Sequence, residues 1–137
     1  SWDYPPDNGF AGAKTKGALP KDTVLDRYGN EGVSFLSPQG TPFVMRALPP
    51  SSASDIYNVY KIKKPLPVEA GKIAPAFDQP GGGTQYLLDW AKIAADNGTT
   101  IDVIRSYSSP TGKGGIAWLA EIGGYFERLT PPGGIPP

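Results

Sequence analysis

The sequence predicts a fold of short, mostly antiparallel strands joined by elaborate turns, with only short helices, and three features point to it. The 137 residues include 18 Gly and 16 Pro, which commit many positions to turns rather than to long helices. Hydrophobic residues make up only 39%, and they gather in brief β-branched and aromatic runs instead of long helical stripes. The length suits a single domain, residues 1–137, able to bury roughly two-thirds of its unfolded surface without disulfides or metals.

Residues 1–20 read as an ordered N-terminal loop in which Tyr4 and Phe10 are expected to pin turn formers to the core, with Pro5 and Pro6 favouring extended backbone. Residues 21–28 suggest a short helix or turn, with Asp22 as N-cap and Gly29 or Gly32 ending it. Strands are expected at 33–36, 43–48 and 56–62, separated by Ser-Pro-Gln-Gly and Pro-Pro-Ser-Ser turns as in an antiparallel meander, with Asn58 and Lys61 on a wet face. Pro65 stops the third of these, and 68–74 is a further short strand. Residues 78–83, which contain Gly81-Gly82-Gly83, must form a loop. Apolar residues then recur at helical spacing from Tyr86 to Ala94 until Asn97-Gly98, which sets Gln85 near a loop-to-helix or loop-to-strand junction. Residues 99–108 read as a strand, 116–126 as a strand pair or a short helix, and 130–137 as a loose Pro/Gly tail.

Lys plus Arg and Asp plus Glu both number 13, so no net field gathers nucleic acid or an anionic membrane, and neither is expected as a partner. Cysteine and histidine are both absent. That excludes disulfides, thiolate zinc sites, Ser-His-Asp and Cys-His nucleophiles and imidazole metal sites, and no metal is expected. No apolar run approaches the ~20 residues of a membrane span, and the first ten residues lack the pattern of a signal peptide, as expected of an excised mature domain.

Few residues carry chemistry on their own. Gly81-Gly82-Gly83 could let backbone approach a phosphate, but it lacks the context of a dinucleotide or nucleoside-triphosphate loop, and a hinge or turn is the plainer reading. Arg27 and Arg46 each sit among aromatic or apolar residues, where a planar fork of donors needs a partner. A pyrophosphate would serve; a carboxylate such as Asp26 or Glu31 is the commoner solution. Phe35, Phe77 and Tyr107 could stack on a nicotinamide or adenine ring or simply fill the core.

Four motifs stand in order: Tyr4-Pro5-Pro6-Asp7-Asn8-Gly9-Phe10, Asp26-Arg27-Tyr28-Gly29, Arg46-Ala47-Leu48-Pro49-Pro50, and the stretch from Ala74 through Gly81-Gly82-Gly83-Thr84 to Gln85 and Tyr86. Together they resemble the tuberculosis necrotizing toxin (TNT) family of NAD⁺ glycohydrolases, over residues 4 to about 90. The resemblance implies an α+β fold, compact, with twisted and mostly antiparallel sheets and a few short helices. It implies hydrolysis of the nicotinamide–ribose bond of NAD⁺, with NADP⁺ as a second candidate, the dinucleotide being the substrate and no separate cofactor being needed. Arg27 and Gln85 match the family's principal active-site positions, and Arg46 would be a second phosphate ligand. Phe35 and Phe77 would lie beside the substrate, and Tyr28, Gly83 and Thr84 complete the expected binding set, with the glycine loop closing over the site. A cognate immunity protein, and secretion or delivery into a target cell's cytosol, are implied as well.

Some relatives use a histidine, which this chain lacks. Its absence is chemically tolerable, because nicotinamide leaves a ribosyl-pyridinium as a neutral molecule and needs no proton to depart. Two alternatives remain open. An ADP-ribosyltransferase would need a catalytic glutamate, for which Glu69, Glu121 and Glu127 qualify by residue type alone, and a non-catalytic β-rich interaction module would use exposed aromatics such as Trp2, Tyr57 and Trp118.

Overall fold

All six pairings within the main sheet of the computed structural model, which describes residues 4–137, are antiparallel. A 3-10 turn at Asp7–Gly9 leads into β1 (Phe10–Leu19), followed by β2 (Val24–Tyr28) and β3 (Phe35–Pro38). Two further 3-10 turns, Phe43–Arg46 and Pro50–Ser54, precede β4 (Tyr57–Ile62), β5 (Leu66–Ile73) and β6 (Thr84–Leu88). Helices α1 (Trp90–Asp96) and α2 (Ile101–Arg105), the small hairpin β7 (Ser108–Ser109) and β8 (Gly112–Lys113), helix α3 (Gly115–Glu121) and β9 (Phe126–Arg128) complete the chain. The seven-stranded sheet has the order β1-β5-β6-β3-β2-β4-β9. Strands Leu25, Leu36, Tyr60, Ile62 and Leu88 share one core with Trp90, Ile93, Ile104, Ile116 and Leu119 of the helices. This is the expected α+β fold.

Several local expectations are corrected, each for a physical reason. The sheet is not a simple meander: only β2 to β3 and β5 to β6 are consecutive neighbours, while Lys63-Lys64-Pro65 carries the chain from β4 across to β5. Within the expected N-terminal loop lies β1, whose small and charged residues hide it from pattern reading. It is an exposed edge strand tied to β5 by its backbone and, through the buried Phe10, to Gly71, where a Cβ would come within 2.6 Å of the ring. Residues 24–28, expected as helix or turn, form a strand because they pair on both sides with β3 and β4.

The expected strand at 43–48 is instead the 3-10 turn Phe43–Arg46, entered from Pro42 and ended by Ala47 at φ 47°. The expected helix from Tyr86 begins only at Trp90, since 84–88 is strand β6, and Asp89 caps it by accepting from the Lys92 N–H at 3.1 Å. The expected strand at 99–108 is helix α2: Thr100 caps it, only Ile104 is buried, and Ile101 and Val103 face solvent. Residues 116–121 take the helical alternative.

Asn58, expected on a wet face, is 1% exposed. Its Nδ2 donates to Gly29 O at 3.2 Å, and its Oδ1 accepts from the Thr130 hydroxyl. The tail is not loose throughout, because Ile135 exchanges backbone hydrogen bonds of 2.8 and 2.9 Å with Tyr57. Trp118 is buried rather than exposed, Tyr57 is half-buried, and Trp2 lies outside the described residues. No helix among the described residues is long and apolar enough to cross a membrane.

Candidate active site

Side chains alternate across a strand, so while Leu25 enters the core, its neighbour Asp26 and also Tyr28 border an open space on the other side. Phe35 and Gln85 border the same space from β3 and β6, the N-terminal turn closes it with Tyr4, Asn8 and Gly9, and the loop after β5 adds Phe77. The result is a cleft of about 560 Å³, within the usual size of a small-molecule site. Of the residues singled out in the sequence, Arg27, Gln85, Arg46, Phe35, Tyr28 and Phe77 all line it. Gly83 and Thr84 do not.

Arg27 has no carboxylate within ion-pairing distance among the described residues. Its Nη1 donates to Phe35 O at 2.6 Å and its Nη2 to Tyr28 O at 3.0 Å, while the buried Nε has no partner. Desolvation lowers the guanidinium from 12.5 to about 10, against the distant attraction of Tyr60, Asp55 and Glu31. At neutral pH the side chain is still a cation, and it is held in low dielectric without a counter-ion.

Gln85 is pinned at one end. Its Nε2 donates to Asn8 O at 2.9 Å, which fixes which end of the carboxamide carries nitrogen, and Oε1 accepts no hydrogen bond among the described residues. Asn8 is able to present that carbonyl because Asp7, Asn8 and Gly9 all adopt positive φ, of 52°, 54° and 81°. A second strained pair, Phe77 and Asp78 at φ 52° and 58°, forms the turn that sets the Phe77 ring in the cleft, edge-on to Tyr4 at 5.4 Å. Non-glycine residues in this region cost ~1 kcal/mol or more each, and such strain gathers at functional sites.

Arg46 has found the carboxylate that residue chemistry favoured. Nη1 lies 2.6 Å from Asp26 Oδ1 and Nη2 donates to Oδ2 at 2.9 Å, Nε donates to Thr41 O at 2.9 Å, and the guanidinium lies over the Tyr28 ring at 5.0 Å. Asp26 also accepts from the Gly40 N–H and from the Tyr57 hydroxyl. Desolvation, and then that bond, push the Tyr57 phenol well above its ordinary range. Asp26 lines the cleft and Tyr57 supports it from behind; from the sequence, Asp26 is only one option for pairing an arginine and Tyr57 only a candidate exposed aromatic.

The glycine run is neither a hinge nor a phosphate cradle. Gly81 and Gly83 N–H groups donate to Val44 and Met45 carbonyls at 3.3 and 3.0 Å and hold the 3-10 turn that carries Arg46, while the Gly82 N–H donates to Ile73 O at the end of β5 at 2.8 Å, so the loop's donors are consumed within the protein. The glycines are needed for close approach: a Cβ on Gly81 would meet the Ile73 and Ala74 carbonyl oxygens at 2.7 Å, and one on Gly83 the Met45 oxygen at 2.9 Å. Thr84 points away from the cleft and is exposed.

Behind the cleft, the loop after β2 is braced by Glu31, which accepts from Arg128 Nη2 at 2.7 Å and from the Tyr60 hydroxyl. Arg128 Nη1 in turn lies 2.8 Å from Glu121, which also accepts from Ser109, Tyr107 and Thr111 at 2.5, 2.7 and 2.8 Å. Burial alone would raise the Glu121 carboxyl, but these bonds outweigh it and bring it from 4.5 to about 2. A carboxyl depressed in the folded state stabilises fully above its unfolded value and loses that contribution as pH falls through the folded one. Urea titrations should therefore show roughly 2 kcal/mol of stability lost between about pH 5 and pH 2, and Glu121→Gln should flatten that slope. An unchanged slope would remove Glu121 as its source.

Three comparisons bear on this arrangement. The conidial surface nicotinamide adenine dinucleotide glycohydrolase nadA of Aspergillus fumigatus is 41% identical over 97 residues, covering 61% of this chain and 42% of that protein, so the chain spans less than half of that relative. The atomic structure of tuberculosis necrotizing toxin complexed with its immunity factor IFT superposes with a TM-score of 0.52 at 29% identity, covering 61% of this chain and 49% of that one. The family match runs from residue 18 to residue 121. It extends past the resemblance seen up to about residue 90 and leaves the Tyr4–Phe10 motif outside. With Arg27, Arg46 and Gln85 all inside that stretch, the chain belongs to the tuberculosis necrotizing toxin family.

Proposed function

We propose that this domain hydrolyses the nicotinamide–ribose bond of NAD⁺, releasing nicotinamide and ADP-ribose. The observation that carries the reading is the convergence, in one cleft, of an arginine without a counter-ion and a glutamine anchored only through its nitrogen. Arg27 suits the pyrophosphate, whose charge supplies the missing partner. Gln85 offers an acceptor, so a ribose hydroxyl or a water donates to Oε1, and the negative end of the carboxamide dipole is available to the positive charge that develops at C1′. Phe35, Phe77 and Tyr28 offer ring surfaces to the bases. The leaving nicotinamide is neutral, so the chemistry proceeds without imidazole. The dinucleotide is the substrate, and no resident cofactor is called for. NADP⁺ is a second candidate substrate.

The named activity of the A. fumigatus relative supports this reading. The toxin–immunity factor complex supports a secreted or delivered protein, acting in the cytosol of a target cell and neutralised by a cognate immunity protein. The transferase alternative loses support, because Glu69, Glu121 and Glu127 do not line the cleft.

The test is loss of NAD⁺ on incubation with the purified domain, with free ADP-ribose as product; stable label on protein would indicate transfer instead. Gln85→Ala is expected to lower kcat by roughly 10²-fold. A folded variant turning over at the parent rate would remove Gln85 from the mechanism.

A further inference from the structure

The covalent order of a dinucleotide can be laid against the order of the strands. Strands β6, β3, β2 and β4 are successive neighbours in the sheet, and Gln85, Phe35 and Arg27 line the cleft from the first three. Adjacent strands lie ~4.8 Å apart, which separates the strands of Gln85 and Arg27 by about 10 Å. With the nicotinamide ribose at Gln85 and the pyrophosphate at Arg27, the adenosine half of the molecule continues past Arg27, away from Gln85. The charged group that lines the cleft on that side is Asp55, which ends the 3-10 turn Pro50–Ser54 just before β4.

Its position is built. Asp55 donates its N–H to Ser52 O at 3.1 Å, and the next residue, Ile56, accepts from the Gly29 N–H at 2.8 Å. Gly29 O accepts from Asn58 Nδ2 at 3.2 Å, so both backbone groups of Gly29 are tied to the chain that carries Asp55. Gly29 has φ 108°, and a Cβ there would lie 3.1 Å from Arg27 Nη2 and 3.9 Å from Asp55 Oδ2. Glycine thus lets the guanidinium and the carboxylate border the same opening without forming an ion pair. The carboxylate is exposed and makes no hydrogen bond among the described residues.

The other charges of the cleft decide what such a carboxylate selects. Among the described residues, the charged side chains that line it are Asp26, Arg27, Arg46 and Asp55. Asp26 and Arg46 neutralise each other, and Arg27 is committed to the pyrophosphate. A carboxylate only accepts, so it takes hydrogen bonds from the 2′- and 3′-hydroxyls of a ribose and repels a phosphate in their place. Resting on the hydrolase reading, we propose that Asp55 is the specificity-determining residue of the adenosine end. It holds the ribose diol of NAD⁺ and disfavours NADP⁺, whose 2′-phosphate would meet a like charge and no unpaired cation.

The experiment measures kcat/KM for NAD⁺ and for NADP⁺ with the parent, Asp55→Asn and Asp55→Ala, each at low and at high salt. The variants should keep the parent's melting temperature, since the replaced group is exposed and unbonded. The parent should prefer NAD⁺ by about tenfold or more, and both variants should bring the two substrates to within about threefold, through a higher KM for NAD⁺ and a lower one for NADP⁺. Because the carboxylate is exposed, added salt should narrow the parent's preference and leave that of the variants unchanged. A parent that hydrolyses both substrates equally well, or a preference that survives in folded Asp55→Asn and Asp55→Ala, overturns the assignment while leaving the hydrolase reading intact. A parent that leaves both dinucleotides whole overturns both.

Discussion

Arg27→Met should abolish NAD⁺ turnover, lowering kcat/KM by roughly 10³-fold, while leaving the melting temperature within a few degrees of the parent or above it. The two halves of this result have one cause. Lowering the guanidinium from 12.5 to about 10 means that keeping it charged in the fold costs about 3 kcal/mol. Asp55 and Glu31 attract it only from beyond ion-pairing distance and offset a part of the desolvation. Methionine has a similar reach without the charge, so it relieves the desolvation, and this offsets the loss of the hydrogen bonds to Phe35 O and Tyr28 O. Arg27→Lys keeps the charge but not the fork that grips two carbonyls while still reaching a ligand, and it should also lose most activity. NAD⁺ consumption and thermal melts on the same samples check both halves. A methionine variant that melts far below the parent would make Arg27 a structural brace, and one that still consumes NAD⁺ would end its role as the pyrophosphate ligand.

The elements read correctly from the sequence are those whose local chemistry agrees with their surroundings. Residues 56–62 and 68–74 are β-rich and bounded by Pro65, and they are strands β4 and β5. The elements read wrongly are those decided by distant partners. Val24 to Tyr28 is a strand because β3 and β4 flank it, and Phe10 to Leu19 because β5 does; neither pairing leaves a trace in the local pattern. The turn at Phe43–Arg46 looks like a strand by composition, yet its carbonyls are claimed by Gly81 and Gly83 almost forty residues later. The site behaves in the same way. Arg27, Arg46, Gln85, Tyr28 and Phe77 are legible through ordered motifs and Phe35 through the family resemblance, which mark positions without giving their contacts. That Arg46 is neutralised by Asp26 while Arg27 is not could come only from coordinates, since Asp26 adjoins Arg27 in the chain and serves the other arginine.

Asp26→Ala should be the most destabilising single change at the cleft, by about 3–5 kcal/mol. It leaves the Arg46 side chain, only 5% exposed, buried without its counter-charge, and it strips the Gly40 N–H and the Tyr57 hydroxyl of their acceptor. In a chain of this size that corresponds to a fall in melting temperature of roughly 10 °C or more. The pair does not owe its presence to stability, because desolvating two charges consumes most of what their attraction returns. Replacing both together, as Asp26→Leu with Arg46→Met, should therefore recover most of the loss. The double variant also separates two roles for Arg46. With Nε on Thr41 O and both Nη groups on Asp26, the guanidinium has little left for a ligand, so the refolded double variant should bind NAD⁺ with KM within about threefold of the parent, taking loss of one minor contact as well under 1 kcal/mol. A tenfold rise in KM at recovered stability would return Arg46 to phosphate binding alongside Arg27. Failure of the double variant to recover would mean that the Tyr28 ring, 5.0 Å beneath the guanidinium, depends on that cation for its place in the cleft wall.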